Sequence, residues 1–360
     1  MFEQFGFEET TAKQASVILA LMLGLAFGFL AERTKFCFRR AIVGEDRKQA
    51  AGIWLMALAA ALFGTQFAVA QGLITFDGHR FMAAELPWLA IVLGGGLFGA
   101  GMVLTRGCVS RLSVLGASGN LRALTVLLAF AVVAHATMKG VLAPLRSMLA
   151  QTTVSLGEVT SLAALPGGAL VWSAIIAVAA LGFALRSGNR ALPLTLAVLI
   201  GLLVPAGWVG TGFVLYDDFD PIALESLAFT APVADGLFYA LASTAIEPGF
   251  GTGLIGGVLG GALLASLLFG SFQWQSFSSP RETGRYLAGA ALMGVGGVLA
   301  GGCTVGAGLA GVPTLSVAAI LALAAIAGGA LVMNAVLKAQ RQGASSSDAG
   351  QTTPAILPAE

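Results

Sequence analysis

Charge is scarce in this chain. Lys, Arg, Asp and Glu make up 10% of its 360 residues, against about 25% in a soluble globular domain. With 57% hydrophobic residues and a mean hydropathy of +0.88, a water-facing surface over most of the molecule is excluded. Histidine is scarcer still, with only His79 and His135. The three cysteines, Cys37, Cys108 and Cys303, are odd in number and far apart, which argues against a disulfide framework or a closed zinc site. A metal centre would need carboxylates or backbone, so neither metal nor cofactor is expected. A net charge of +1 gives no footprint for nucleic acid. There is no P-loop to feed ATP-driven work. The stretch Met1 to Thr10 is acidic and lacks the basic leader of a cleaved signal peptide, so the first apolar run is expected to be a retained helix.

What is present is length in apolar runs. Stretches of about 20 residues, enough to cross a bilayer, fall near 14–31, 49–71, 84–104, 120–138, 165–186, 191–212, 249–270, 284–300 and 314–337. The chain is therefore expected to be an all-α polytopic membrane protein of about nine spans. The 139–164 connection has room for an interfacial helix. The tail, 340–360, is rich in Ser, Gln, Ala and Pro and is expected to be a disordered cytoplasmic end. An external N-terminus puts fifteen of the nineteen Lys and Arg on the cytoplasmic side, leaving Lys13, Arg80, Lys139 and Arg146 outside. The acidic residues Asp217, Asp218, Asp220, Glu225, Asp235 and Glu247 then lie outside as well.

An internal repeat organises the spans. Gly101-Met-Val-Leu-Thr-Arg-Gly-Cys108 aligns with Gly296-Gly-Val-Leu-Ala-Gly-Gly-Cys303 at five of eight positions, with an offset of 195. Residues 1–340 read as one transmembrane unit, with repeat one at about 14–140, a linker helix at about 165–186 and repeat two at about 191–337. One linker span inverts the second copy. Cys108 then enters from the cytoplasm and Cys303 from outside, as in transporters that bind substrate at the repeat interface near the midplane. The place matching the Cys37 loop, 222–236, has no cysteine.

The cysteines share a setting. Each precedes a short stretch closed by glycine within two turns, at Gly44, Gly116 and Gly311. Such a stretch cannot span, but it can dip into the bilayer as a re-entrant helix. A thiol at its N-terminus meets free backbone N–H groups and the positive end of the helix dipole, a setting for an anion. Glycine is abundant, 49 of 360 residues, and most of it serves close helix packing. Gly107, Gly301 and Gly302 abut cysteines and let the backbone turn sharply toward a ligand. Arg106 precedes Cys108 by two residues and is balanced between a topological and an anion-binding role. His135 reads as a packed or interfacial histidine. A cysteine in a membrane can also be a mere small hydrophobe.

The blocks Lys35-Phe36-Cys37-Phe38-Arg39-Arg40-Ala41, Leu104-Thr105-Arg106-Gly107-Cys108 and Ala300-Gly301-Gly302-Cys303-Thr304-Val305-Gly306 resemble, in that order, the YeeE/YedE family of bacterial sulfur transport proteins. The resemblance covers residues from about 15 to 337. It implies an inner-membrane thiosulfate importer with nine spans and re-entrant helices, whose cysteines hand the anion inward by S–H···S contacts. Carried over by motif, the pathway is Cys303 outermost, Cys108 in the middle and Cys37 innermost, with Arg106, Gly107, Gly301, Gly302 and Thr304 beside them. A permease of this kind is not an enzyme. The alternatives are another sulfur or selenium species as cargo, or an intramembrane thiol sulfurtransferase. A small cytosolic sulfur-carrier protein is a candidate partner.

Overall fold

The computed structural model describes residues 11–217 and 221–349. Its elements are helical but for one two-residue pairing, β1 (Glu85–Leu86) with β2 (Val154–Ser155). The long helices are α1 (Ala12–Thr34), α3 (Arg47–Ala70), α4 (Trp88–Leu104), α6 (Leu121–Lys139), α8 (Gly168–Leu185), α9 (Ala191–Val209), α11 (Phe250–Leu268), α12 (Pro280–Leu299) and α13 (Val317–Ala349). Among the described residues these give nine stretches long and apolar enough to cross a membrane. The protein is an all-α polytopic membrane protein. Helices suit that solvent because they satisfy their own backbone groups, which hydrocarbon cannot do.

Between the long helices lie short ones: α2 (Phe38–Val43), α5 (Val109–Ala117), α7 (Ala143–Ala150) and α10 (Thr230–Leu241), together with a π-helical segment, Thr304–Gly311. Twelve residues, the longest of these, rise about 18 Å and fall short of the hydrocarbon thickness. The helix α7 occupies the 139–164 connection, where room for one was expected. The short helix expected near 222–236 begins later, at Thr230, after irregular chain. Helix α9 itself runs on into a π-helical turn, Gly210–Val214. Helix α13 continues to Ala349, past Gln340, where the disordered tail was expected to begin. Residues 350–360 lie outside the described residues, as do Asp218 and Asp220 of the acidic stretch.

Small residues set the closest helix crossing. A Cβ at Gly24 of α1 would overlap the Leu254 carbonyl of α11, and one at Gly257 of α11 would overlap the Leu21 carbonyl of α1. Only glycine lets these two backbones meet, and in lipid such contact supplies association where the hydrophobic effect cannot.

Packing partners recur in exchanged form. Helix α1 packs on α11 as α9 packs on α3; α4 packs on α13 as α12 packs on α6; α4 and α12 pack on each other. The short elements follow suit, with α2 against α3 and α13, and α10 against α11 and α6. Helix α8 stands outside this scheme with most of its surface exposed, Leu170 and Val178 at 82% and 69%. One continuous apolar core links nearly all the long helices, and all three cysteines belong to it.

Candidate functional site

The same local device presents each cysteine. Two residues upstream, a long helix ends on a residue in the left-handed region: Lys35 (φ 51°), Arg106 (φ 60°) and Gly301 (φ 73°). The amide after it reaches back five residues in the first two cases, Phe36 N–H to the Ala31 carbonyl at 3.1 Å and Gly107 N–H to the Met102 carbonyl at 3.1 Å. This is the Schellman closure, and glycine is its usual occupant. The cysteine follows in extended conformation and caps the next short element: Cys37 before α2, Cys108 before α5, Cys303 before Thr304–Gly311. The turn redirects the chain, and the short element points its N-terminal N–H groups back toward the core. At Cys303 the Gly306 N–H donates to Sγ at 3.3 Å.

The three turns converge. All three thiols are free and buried, at 4%, 1% and 1% exposure. The Cys37 side chain meets that of Cys108. The Cys108 thiol also neighbours the Thr304 side chain and lies 3.3 Å from the Ser110 hydroxyl. Thr304 is the neighbour of Cys303, so one polar seam runs from Cys37 through Cys108 and Thr304 to Cys303. Of the residues expected beside the thiols, Gly107 and Gly302 are buried with them and Gly301 takes the left-handed turn. Arg106 is the exception. Its side chain is exposed and lines a cavity on the side where α1 and α4 end. The cation near the thiols is Arg111, which sits one turn into α5 and pairs with Glu32 of α1 at 3.2 Å, both side chains 12% exposed. Sequence reasoning counted Arg111 only as a topological charge. Its spacing of three from Cys108 was the available signal.

One cavity reaches the seam, and another opens on the opposite side without a thiol in its lining. On the side where α3 ends, a cavity of about 600 Å³ is lined by His79, Arg80, Trp208, Glu225, Phe250 and Gly306, the last being the residue that donates to Cys303. Burial, reinforced by the Arg80 charge, pulls the His79 imidazole down to about 4, so it is neutral at pH 7. Its Nδ1 accepts from the Phe81 N–H at 3.3 Å. Burial pushes the Glu225 carboxyl up, opposed by Arg80 across the cavity. Arg80 thus places positive charge in the cavity opposite Glu225. Glu247 is instead taken up by Lys13 at 2.6 Å. His135 stacks on Phe238 with centroids 4.5 Å apart, as a packed histidine would.

A polytopic helical membrane protein, with helices broken at a buried polar seam and a cavity reaching it, is in architecture a transport protein. The sequence profile of the Sulphur transport family matches residues 33–332, and the chain belongs to that family. It is 27% identical over 325 residues to the thiosulfate transporter TsuA of Escherichia coli (strain K12), covering 81% of this chain and 86% of the relative. It is 25% identical over 319 residues to the thiosulfate transporter TsuA of Spirochaeta thermophila, covering 84% and 93%.

Proposed function

We propose that this protein imports thiosulfate across the bacterial inner membrane, with the N-terminus outside and the C-terminus in the cytoplasm. The anion would pass from the Arg80 cavity to Cys303, then Cys108, then Cys37. The observation that carries this reading is the seam of three buried thiols lying between cavities on opposite sides. Thiosulfate has a soft terminal sulfur, which a thiol can contact as a weak donor, and backbone N–H groups at the short helices can meet its oxygens. Contacts that are weak and serial suit passage, because a single tight site would trap the ion. The exchanged packing of α1–α6 with α9–α13 supports reading the fold as an inverted repeat, with α2, α5, α10 and Thr304–Gly311 as re-entrant elements. A sulfur-carrier protein on the cytoplasmic side would accept the imported sulfur.

The test is uptake of labelled thiosulfate into proteoliposomes, with sulfate and selenite as competitors. Saturable uptake that sulfate does not suppress supports the reading. Equal uptake by empty liposomes rejects it, and suppression by selenite would shift the cargo toward selenium species. A second reading rests on the contact between Cys37 and Cys108. A thiolate there could attack the terminal sulfur of thiosulfate, forming a Cys persulfide as the S–S bond breaks and sulfite leaves. Appearance of sulfite and a persulfide on Cys108 would favour that sulfurtransferase over a permease.

A further inference from the structure

On the side where α1, α4 and α13 end, a cavity of about 670 Å³ opens between five elements. Its cations come from separate parts of the chain: Arg39 and Arg40 from α2, Arg47 from α3, Arg106 from the turn after α4, Arg285 from α12 and Lys338 from α13. Against these six stand two carboxylates, Glu45 and Asp46. Asp46 is bound to Arg40, whose guanidinium also donates to the Lys35 carbonyl. Arg39, Arg106, Arg285 and Lys338 have no ion-pair partner among the described residues. The Nε–H groups of Arg39 and Arg285 are buried and donate to nothing. A buried donor left unmade is costly. Arg106 adds a second cost, because it holds a left-handed backbone conformation where the matching residue of the other repeat is Gly301. Strain retained at a cationic residue facing a cavity is a pattern of ligand sites rather than of packing.

We propose that this cavity is a second anion site, separate from the thiol seam, in which Arg39, Arg106, Arg285 and Lys338 hold one compact oxyanion. Arginine forks match the oxygens of thiosulfate or of a phosphate group. The volume is in the range of small-molecule pockets and leaves the anion partly hydrated. That chemistry can come from free thiosulfate or from a phospholipid headgroup. If the import reading is right, occupancy from the cytoplasm slows net uptake. Only this consequence rests on that reading; binding does not.

The test uses the full chain carrying Cys37→Ala, Cys108→Ala and Cys303→Ala, so that the seam contributes no thiol, in nanodiscs of phosphatidylcholine. Saturable binding of labelled thiosulfate is expected to persist. Adding Arg39→Gln and Arg285→Gln should weaken it at least about tenfold, and the Arg→Lys pair should restore much of it. In nanodiscs containing phosphatidylglycerol, a headgroup occupant would suppress thiosulfate binding, and co-purified anionic lipid would fall in the Gln pair. Either result supports the site and identifies its source. If the Gln pair elutes as aggregate, Lys338→Gln, on an exposed side chain, is read instead and should weaken binding by a few-fold. The inference is overturned if neither thiosulfate nor anionic lipid distinguishes the variants from the parent.

Discussion

A lysine and an arginine stand where glycine would cost least. Lys35 and Arg106 both occupy left-handed positions, and a side chain there costs roughly 1–2 kcal/mol. Arg106→Gly should therefore leave the thermal midpoint unchanged or raised, since the relieved strain exceeds or offsets the entropy of added glycine. Under the import reading its net uptake should be slowed less than the parent's by thiosulfate on the cytoplasmic side. A variant that is destabilised would show that Arg106 is held by contacts rather than strained. His79 gives a pH signature. Its folded value, about 4, lies below its unfolded value near 6.5, so the folded protein binds that proton more weakly. The stability tied to neutral His79 is full above about pH 6.5 and drains as pH falls toward 4. Melting of the parent and of His79→Asn between those limits should show a shallower slope in the variant; parallel slopes would contradict the assignment.

At the scale of elements, α5 is pinned to α1 by Arg111 and Glu32, with Ser271 donating to the same carboxylate at 3.1 Å. Removing one member of a nearly buried pair leaves the other uncompensated and costs roughly 3 kcal/mol, whereas removing both costs less. Glu32→Gln and Arg111→Gln should each lower stability by more than the double variant does; additive losses would show that the two groups do not interact. That short elements follow the cysteines was legible in sequence, but of the glycines expected to close them only Gly44 is a closing cap: Gly116 lies inside α5, whose cap is Ser118, and after Gly311 the chain stays helical to Thr314. The turns that aim them were only half legible. Gly301 and Gly302 signal a left-handed residue, but Lys35 and Arg106 do not, since nothing in their chemistry favours that conformation. The start of α10 at Thr230 was missed because the irregular chain before it, 221–229, is as apolar as the helix itself.

Over the whole molecule, the span count was readable from apolar length. The meeting of residues distant in sequence was not. Arg80 and Glu225 share a cavity across 145 positions, and Arg39 shares one with Arg285 across 246, by the arithmetic of their numbers. Those encounters follow from how α1–α6 and α9–α13 interleave, which composition alone does not specify. The proposed topology has its own check: a reporter fused after Gly188 should be cytoplasmic, and an external location would reverse the orientation. The central claim is that the three thiols form the path. Uptake of labelled thiosulfate by Cys37→Ala, Cys108→Ala and Cys303→Ala proteins, reconstituted at equal amounts, tests it most directly. Loss is expected to be complete at Cys108, nearly so at Cys303 and weaker at Cys37; parental rates in all three variants would make the cysteines packing residues and contradict the account.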